Sequence, residues 1–167
     1  MPVVLITGGA RSGKSRHAEA RARAFPGWPV YIATAEALDE EMAARIAKHR
    51  ERRGSEWTER EVPLGLSQAL IETDGGGARL VDCLTLWLSN LLHAGSDWSR
   101  SIAELADTLK SQKSPVVLVT NEVGLGIVPD NALARAYRDA AGHMNQTIAA
   151  LADEVQFVVA GLPMKLK

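Results

Sequence analysis

The sequence predicts an α/β protein in which helices cover a mostly parallel β-sheet. Short apolar runs of strand length alternate along the chain with longer segments of helical period, the pattern typical of a parallel sheet with crossover helices. Apolar residues make up 46% of the 167 residues and aromatic residues only 5%, so the core is expected to consist of Ala, Leu, Val and Ile. The length corresponds to one domain, residues 1–167.

Five strands are predicted from apolar runs that are rich in β-branched residues or leucine and bounded by turn-forming residues. They are residues 3–7, 30–34, 79–83, 116–120 and 155–160. Three consecutive glycines, residues 75–77, form the turn before the third strand. A sixth, short strand is expected at residues 164–167.

Six helices are predicted where apolar residues recur at helical spacing and breaking residues are few. They are residues 14–24, 40–53, 66–72, 84–93, 99–110 and 131–153. The most charged stretch, residues 40–61, mixes both signs of charge. It is expected to form a solvated helical face followed by a loop.

Charge and cysteine content exclude several classes of function. Nineteen Lys and Arg oppose twenty Asp and Glu, for a formal charge of −1, so no overall field draws the protein toward nucleic acid or an anionic membrane. The one cysteine, Cys83, cannot form an internal disulfide, which fits a reducing compartment. The apolar run at residues 3–7 is too short for a signal sequence or a membrane span. We therefore expect a cytoplasmic protein that binds anions at a local site.

A phosphate-binding motif lies between the first predicted strand and the first predicted helix. Eight residues fit the pattern G-x-x-x-x-G-K-[ST]: Gly8, Gly9, Ala10, Arg11, Ser12, Gly13, Lys14 and Ser15. Glycines let successive backbone N–H groups surround an anion, and the following helix adds the positive end of its dipole. We expect Lys14 to reach the β- and γ-phosphates of a nucleoside triphosphate and Ser15 to ligate Mg²⁺. A glycine-rich turn without a ligand would not explain the Lys-Ser pair.

A nucleotide-bound Mg²⁺ also needs a carboxylate, usually at the carboxyl end of a buried strand. Asp82 and Glu122 both occupy such positions, and both stay candidates, with Asp82 preferred. Either side chain could instead cap a helix or be solvated.

Proteins with this phosphate-binding motif are switches, motors or transferases, and the fold alone does not choose among them. The Asn-Lys-x-Asp pattern with which switch GTPases recognise guanine is absent, since the nearest segment reads Thr120-Asn121-Glu122-Val123. An enzyme that transfers a phosphoryl or nucleotidyl group to a small molecule is therefore favoured. A monofunctional small-molecule kinase and a nucleotide-binding regulatory module are the alternatives.

Several blocks resemble the bifunctional adenosylcobinamide kinase and adenosylcobinamide-phosphate guanylyltransferase family of cobalamin biosynthesis. They are residues 6–19, 31–34, 39–46 with 49, 120–124 with 126–129, positions 131, 135, 138–139, 142 and 145–146, and residues 152–155, in order along nearly the whole chain. The resemblance implies a RecA-like P-loop NTPase fold and a homotrimer. It also implies two reactions: ATP or GTP phosphorylates adenosylcobinamide, and GMP from GTP then passes through a guanylyl-histidine to adenosylcobinamide phosphate.

The resemblance assigns the guanylylated position to His49. A neutral imidazole, with an ordinary pKa of about 6.5, can attack an α-phosphorus near neutral pH, and neighbouring cations would favour that neutral form. Without the resemblance, His49 would be interpreted as a surface residue of a charged helix. The resemblance also implies nucleotide contacts by Thr34, Arg50, Glu51, Arg52, Arg53, Glu61 and Asp82. The family more often has Glu where this chain has Asp82, so direct and water-mediated metal contact both stay open.

Overall fold

The computed structural model describes residues 1–36, 40, 43–44, 47, 50–51 and 54–167. Seven strands within these residues form one sheet: β1 (Val3–Gly8), β2 (Val30–Ala33), β3 (Thr58–Glu61), β4 (Arg79–Asp82), β5 (Val116–Val119), β6 (Glu154–Val159) and β7 (Leu162–Lys165). The helices are α1 (Lys14–Arg23), α2 (Leu66–Glu72), α3 (Leu84–His93), α4 (Trp98–Ser111) and α5 (Ala132–Leu151). The helix predicted at 40–53 lies partly outside the described residues, and its described members are all helical: 40, 43, 44, 47, 50 and 51.

The strand order across the sheet is β3-β2-β4-β5-β1-β6-β7. Every neighbouring pair is parallel except β6 and β7, which are antiparallel. The α/β class and the mostly parallel sheet are therefore confirmed. Because β5 lies between β1 and β4, the carboxyl ends of β1 and β4 are separated by one strand. In sheets of this kind, ligands bind in a crevice at the carboxyl ends of the strands.

Helices cover both faces of the sheet and create two apolar layers. On the first face, α2 to α5 contribute large side chains such as Leu88, Leu105 and Met144. On the second face, α1 contributes Ala18 and Ala22, both fully buried. Small side chains on α1 let its backbone lie close to the sheet, so the start of this helix is held near the carboxyl end of β1.

Two strands differ from the sequence predictions. Strand β3 was predicted as loop, because its residues Thr-Glu-Arg-Glu are polar and show no apolar alternation. It forms by pairing with β2 at the edge of the sheet, where charged side chains also discourage pairing with other molecules. Strand β7 begins two residues earlier than predicted, since it pairs with β6 across a turn at Ala160 and Gly161. Both turn residues have positive φ, at 51° and 79°, as a two-residue hairpin of primed type requires.

A buried ion pair joins the start of β4 to the turn that precedes it, at the edge of the sheet opposite the phosphate-binding loop (P-loop, residues 8–15). Arg79, at the start of β4, is fully buried and lies 3.1 Å from Asp74. The Asp74 carboxylate also accepts hydrogen bonds from the backbone N–H groups of Lys113 and Ser114 at 2.9–3.0 Å. Burial alone would raise the pKa of Asp74, but these N–H groups and Arg79 outweigh it and lower the pKa.

We expect Asp74→Ala to destabilise the protein by about 3 kcal/mol, because the substitution leaves the Arg79 guanidinium buried without its carboxylate. Urea denaturation at neutral pH measures the change. Since the pKa of Asp74 is lowered in the folded state, its contribution is present above the ordinary pKa of about 3.9 and is lost as the pH falls below that value. Asp107→Ala is the matched control, because Asp107 pairs with Lys110 on the surface and should change stability by about 0.5 kcal/mol or less. Equal effects of the two substitutions would contradict the expectation.

Candidate nucleotide-binding site

The P-loop lies at the carboxyl edge of the sheet, where β1 ends and α1 begins. Lys14 is 9% exposed, and its Nζ donates a hydrogen bond to the Gly9 carbonyl at 3.0 Å. The ammonium group therefore points back across the loop rather than into solvent. This places a cation beside the backbone N–H groups that precede α1, which is the arrangement that binds phosphate.

Two glycines of the loop are required by close contacts. A Cβ on Gly8 would lie 2.5 Å from the Val158 carbonyl oxygen and 2.7 Å from Ser12 Oγ. Gly13 has a φ of 93°, and a Cβ there would lie 3.2 Å from Gly161 Cα. In both cases the contact is with backbone or with a residue of the loop, so the loop can follow this path only with glycine at these positions.

The turn between β6 and β7 supports the loop from outside. The Gly161 backbone N–H donates to the Ser12 carbonyl at 2.8 Å. On the same side, His17 of α1 is hydrogen-bonded to Gln156 of β6. Sequence reasoning did not find this support, because the turn lies far from the P-loop along the chain and has no motif of its own.

Two hydroxyl groups beside the loop have no hydrogen-bond partner within the described part of the chain. They are Ser12 Oγ and Thr7 Oγ1, both buried. A buried hydroxyl without a partner is costly unless a ligand or water satisfies it. The loop therefore has unmet hydrogen-bonding capacity in addition to a cation and a helix N-terminus, as expected of an anion site.

Asp82 is brought to the same edge as the P-loop. It ends β4, pairs in register with Val119 of β5, and Val119 pairs with Ile6 of β1. Side chains alternate along a strand, so Asp82 shares the α1 face with Leu80. Its Oδ2 accepts a hydrogen bond from the Tyr31 hydroxyl at 2.9 Å, and the peptide bond that follows it, Asp82–Cys83, is cis.

The hard oxygen donors at this edge fit Mg²⁺. Ser15 supplies a hydroxyl at the first turn of α1, and Asp82 supplies a half-buried carboxylate on the same face. Among the described residues no group of three or more His, Cys, Asp or Glu side chains could hold a metal ion. Mg²⁺ commonly binds through one or two protein oxygens plus phosphate oxygens and water, so the small donor set is compatible with a nucleotide-bound ion.

Glu122, the alternative carboxylate, is also next to the loop. Its backbone N–H donates to the Gly8 carbonyl at 3.0 Å, which extends the pairing of β5 with β1. Its Oε1 accepts a hydrogen bond from the Gly124 N–H at 2.6 Å. This carboxylate is thus engaged by its own loop, whereas Asp82 is held from the neighbouring strand β2.

A polar network fixes the segment that leads to Glu122. Asn121 donates to Thr85 Oγ1 through both its backbone N–H and its Nδ2, and Thr120 Oγ1 donates to Asn145 Oδ1 at 2.7 Å. Tyr137 donates to the Thr85 carbonyl at 2.9 Å, and burial raises its pKa to about 12, so it remains a donor. The sequence alone did not predict that these residues hold the segment in place. The one available signal was the run of polar residues directly after the apolar strand β5.

Thr34 follows β2 and is fully buried. Its hydroxyl donates to the Cys83 carbonyl at 2.7 Å and accepts from the Cys83 N–H at 2.9 Å. This side chain therefore links the carboxyl ends of β2 and β4, and any contact between it and a nucleotide stays a prediction.

Arg50 and Glu61 are brought together by the unpredicted strand β3. Arg50 donates to Glu59 at 2.6 Å and to Glu61 at 3.0 Å. These hydrogen bonds, first with Glu59 and then with Glu61, raise the pKa of Arg50. Glu51 is helical and exposed. His49, Arg52 and Arg53 lie outside the described residues, so their predicted roles stay predictions.

Comparison with known proteins identifies relatives along the whole chain. The model of a family described as cobinamide kinase / cobinamide phosphate guanyltransferase matches residues 4–166. A bifunctional adenosylcobalamin biosynthesis protein, CobP, of Pseudomonas aeruginosa is 51% identical over 98% of this chain and 96% of its own length. The bifunctional adenosylcobalamin biosynthesis protein CobU of Salmonella typhimurium is 46% identical over 99% of both chains.

Solved structures of low sequence identity share the fold. The flagellar accessory protein FlaH from Methanocaldococcus jannaschii has a TM-score of 0.56 at 13% identity, covering 99% of this chain and 78% of its own. The P4 protein from bacteriophage phi6 in complex with ADP has a TM-score of 0.55 at 16% identity, covering 98% of this chain and 54% of its own. These likenesses confirm the predicted P-loop NTPase fold.

Gly8→Ala should weaken nucleotide binding by about tenfold or more, because the new Cβ would displace the loop from Val158 and Ser12. Titration with a fluorescent GTP analogue measures the effect. Gly142→Ala is the control: it lies within α5 with no atom within 4 Å of the added Cβ, so it should leave affinity unchanged and stabilise the helix by about 1 kcal/mol. Wild-type affinity in Gly8→Ala would show that the loop does not hold the nucleotide in this conformation.

Proposed function

The chain belongs to the cobinamide kinase / cobinamide phosphate guanyltransferase family, and on that premise we propose that it catalyses both reactions of a bifunctional adenosylcobalamin biosynthesis enzyme. In the first, adenosylcobinamide is phosphorylated by ATP or GTP. In the second, GMP from GTP is joined to adenosylcobinamide phosphate, which gives adenosylcobinamide-GDP and releases pyrophosphate. The observation that carries the proposal is the P-loop geometry in a chain whose relatives match it from end to end.

The kinase step depends on the P-loop. A hydroxyl oxygen of the acceptor attacks the γ-phosphorus and its proton is released to water. The bond between that phosphorus and the bridging oxygen breaks, and the nucleoside diphosphate leaves. Lys14 and the backbone N–H groups at the start of α1 bind the charge that spreads over the phosphate oxygens. Ser15 and Asp82 would hold Mg²⁺, which neutralises phosphate charge when it is bound. Ser12 Oγ, buried without a partner among the described residues, is suited to donate to a phosphate oxygen.

The guanylyltransferase step is proposed to use His49 as the nucleophile. An imidazole nitrogen attacks the α-phosphorus of GTP, and pyrophosphate leaves. A phosphate oxygen of the acceptor then attacks the same phosphorus, and the histidine is released. Each attack forms one P–O or P–N bond as another breaks, so no further reactant is needed.

The position of β3 supports a single site for both steps. Glu61 pairs in register with Ala33, and Ala33 pairs with Asp82, so Glu61 lies in the same row at the carboxyl edge as the metal carboxylate. Glu61 also holds Arg50, the residue next to His49 in the sequence. Neighbouring strands are ~4.8 Å apart, so the backbone of Glu61 lies two strands, or about 10 Å, from that of Asp82. Arg50 therefore ties the segment that follows His49 to the edge where the triphosphate binds.

We also propose a homo-oligomer, expected from the family resemblance to be a trimer. Two apolar surfaces are exposed: the segment after β5, where Leu125 and Ile127 are 81% and 97% exposed, and the β6–β7 hairpin, where Leu162 is 72% exposed. Apolar surfaces of this kind commonly mark sites of association. Two different surfaces on one chain can pair head to tail and close a ring. A bulky corrin substrate could then contact more than one subunit.

The substrates and the reduced, buried Cys83 fit a cytoplasmic location, which is part of the proposal. None of the described helices is long and apolar enough to cross a membrane.

Incubation with α-labelled GTP in the absence of acceptor tests the second reaction. The wild-type chain should acquire acid-labile GMP, and peptide mapping should place it on His49. His49→Ala should lose the label and keep the kinase activity, whereas His93→Ala, which alters an exposed histidine of α3, should be labelled normally. Full labelling of His49→Ala would remove His49 from this role. Kinase activity with no labelling of the wild type would support the monofunctional alternative.

Ile127→Asp should dissociate the oligomer, because it places a charge on the most exposed apolar residue of the segment after β5. Sedimentation velocity measures the assembly state, and thermal unfolding checks that the subunit remains folded. Ile71→Asp is the control: Ile71 is 55% exposed on α2, outside both surfaces. A monomeric wild type, or an unchanged assembly of Ile127→Asp, would contradict this part of the proposal.

A further inference from the structure

Tyr31 donates a hydrogen bond to the carboxylate of Asp82, with 2.9 Å between its hydroxyl oxygen and Oδ2. The two residues lie on the adjacent parallel strands β2 and β4. Tyr31 pairs in register with Leu80, and Asp82 is the next residue of β4 on the same face. The phenol thus spans diagonally from one strand to the carboxyl end of its neighbour.

The tyrosine ring is held in place by its surroundings. Tyr31 is 3% exposed, and its ring meets Trp57 edge-on, with ring centroids 5.7 Å apart and an interplanar angle of 90°. Trp57 is itself buried, and the Arg23 guanidinium lies 5.3 Å from its ring centroid. Because the ring cannot turn away, its hydroxyl has a fixed position relative to the end of β4.

The hydroxyl of Tyr31 restricts the orientation of the Asp82 side chain. The Asp82 side chain has two rotatable bonds, and it is half-buried at the point where its strand ends. The hydrogen bond to Oδ2 restricts the orientation of the carboxylate and does not engage Oδ1. Partners of this kind orient metal-binding carboxylates and strengthen metal binding.

We propose that Tyr31 is a positioning residue for the divalent cation of the nucleotide complex, acting through Asp82. The inference rests on the proposed function, which assigns Asp82 to the metal. Tyr31 does not touch the cation or the phosphates. It restricts the orientation of the Asp82 carboxylate, and so lowers the conformational cost of metal binding.

Mn²⁺ binding in the presence of a non-hydrolysable GTP analogue tests the proposal, with free Mn²⁺ measured by electron paramagnetic resonance. Tyr31→Phe removes only the hydroxyl and should weaken Mn²⁺ binding by about tenfold. Thr73→Val is the control, since it also removes a part-buried hydroxyl that donates a hydrogen bond, to the Ala69 carbonyl at 2.8 Å, but at the end of α2, beside Asp74 and away from the P-loop. It should change Mn²⁺ affinity by no more than about twofold.

Kinetics separate positioning from a general structural effect. In Tyr31→Phe the Mg²⁺ concentration for half-maximal kinase rate should rise with the Mn²⁺ dissociation constant, while kcat at saturating Mg²⁺ stays within about twofold of wild type. Thermal unfolding of Tyr31→Phe and of Thr73→Val checks that both variants remain folded. A fall in kcat that excess Mg²⁺ does not restore, with unchanged Mn²⁺ affinity, would overturn the proposal.

Asp82→Asn distinguishes failure of this inference from failure of the proposed function. If Asp82→Asn weakens Mn²⁺ binding and Tyr31→Phe does not, Asp82 keeps its role and the positioning role of Tyr31 is wrong. If Asp82→Asn binds Mn²⁺ as the wild type does, the metal assignment is wrong and the inference falls with it. If both weaken binding, the double variant should be no weaker than Asp82→Asn alone, because Tyr31 acts only through that carboxylate.

Discussion

The parallel register of the sheet is the constraint on which the site depends. Ile6, Val119, Asp82 and Ala33 form one row of paired residues across four strands, and each is followed by a residue at the same edge. The P-loop, the candidate metal carboxylate and the buried Thr34 meet there because their strands end together. A shift of one residue in any strand would turn its side chains to the opposite face and would separate Asp82 from the loop.

The two faces of the sheet make different contributions to this edge. On the α1 face, small alanines bring the helix and its Lys14 close to the sheet, and Tyr31 holds Asp82. On the other face, Thr85 and Asn145 hold the segment from Thr120 to Glu122 through hydrogen bonds. The carboxyl edge of the sheet, where we propose that the nucleotide binds, is thus supported from both sides by groups that need not touch the nucleotide.

The sequence predicted those features that depend on neighbouring residues along the chain, namely the buried strands and the phosphate-binding loop. Apolar runs identified the buried strands, and the Lys-Ser pair after glycines identified the phosphate loop. Strand β3 could not be predicted, because Thr58 to Glu61 are polar and become a strand only by pairing with β2. The contacts of Gly161 with Ser12 and of Tyr31 with Asp82 depend on strand order and register, which one sequence does not specify. His49 was recognised through family resemblance rather than through its chemistry, since a histidine in a charged segment has no distinguishing pattern.

The hairpin of β6 and β7 has a consequence for the order in which the site can form. Strand β1 is central, yet its two neighbours, β5 and β6, are more than a hundred residues further along the chain. During synthesis the P-loop sequence emerges before the groups that shape it, Val158 and Gly161. The phosphate-binding shape proposed for this loop therefore depends on pairing of β1 with both neighbours. Until then β1 is an apolar strand with both edges unpaired, which is the condition that favours aggregation.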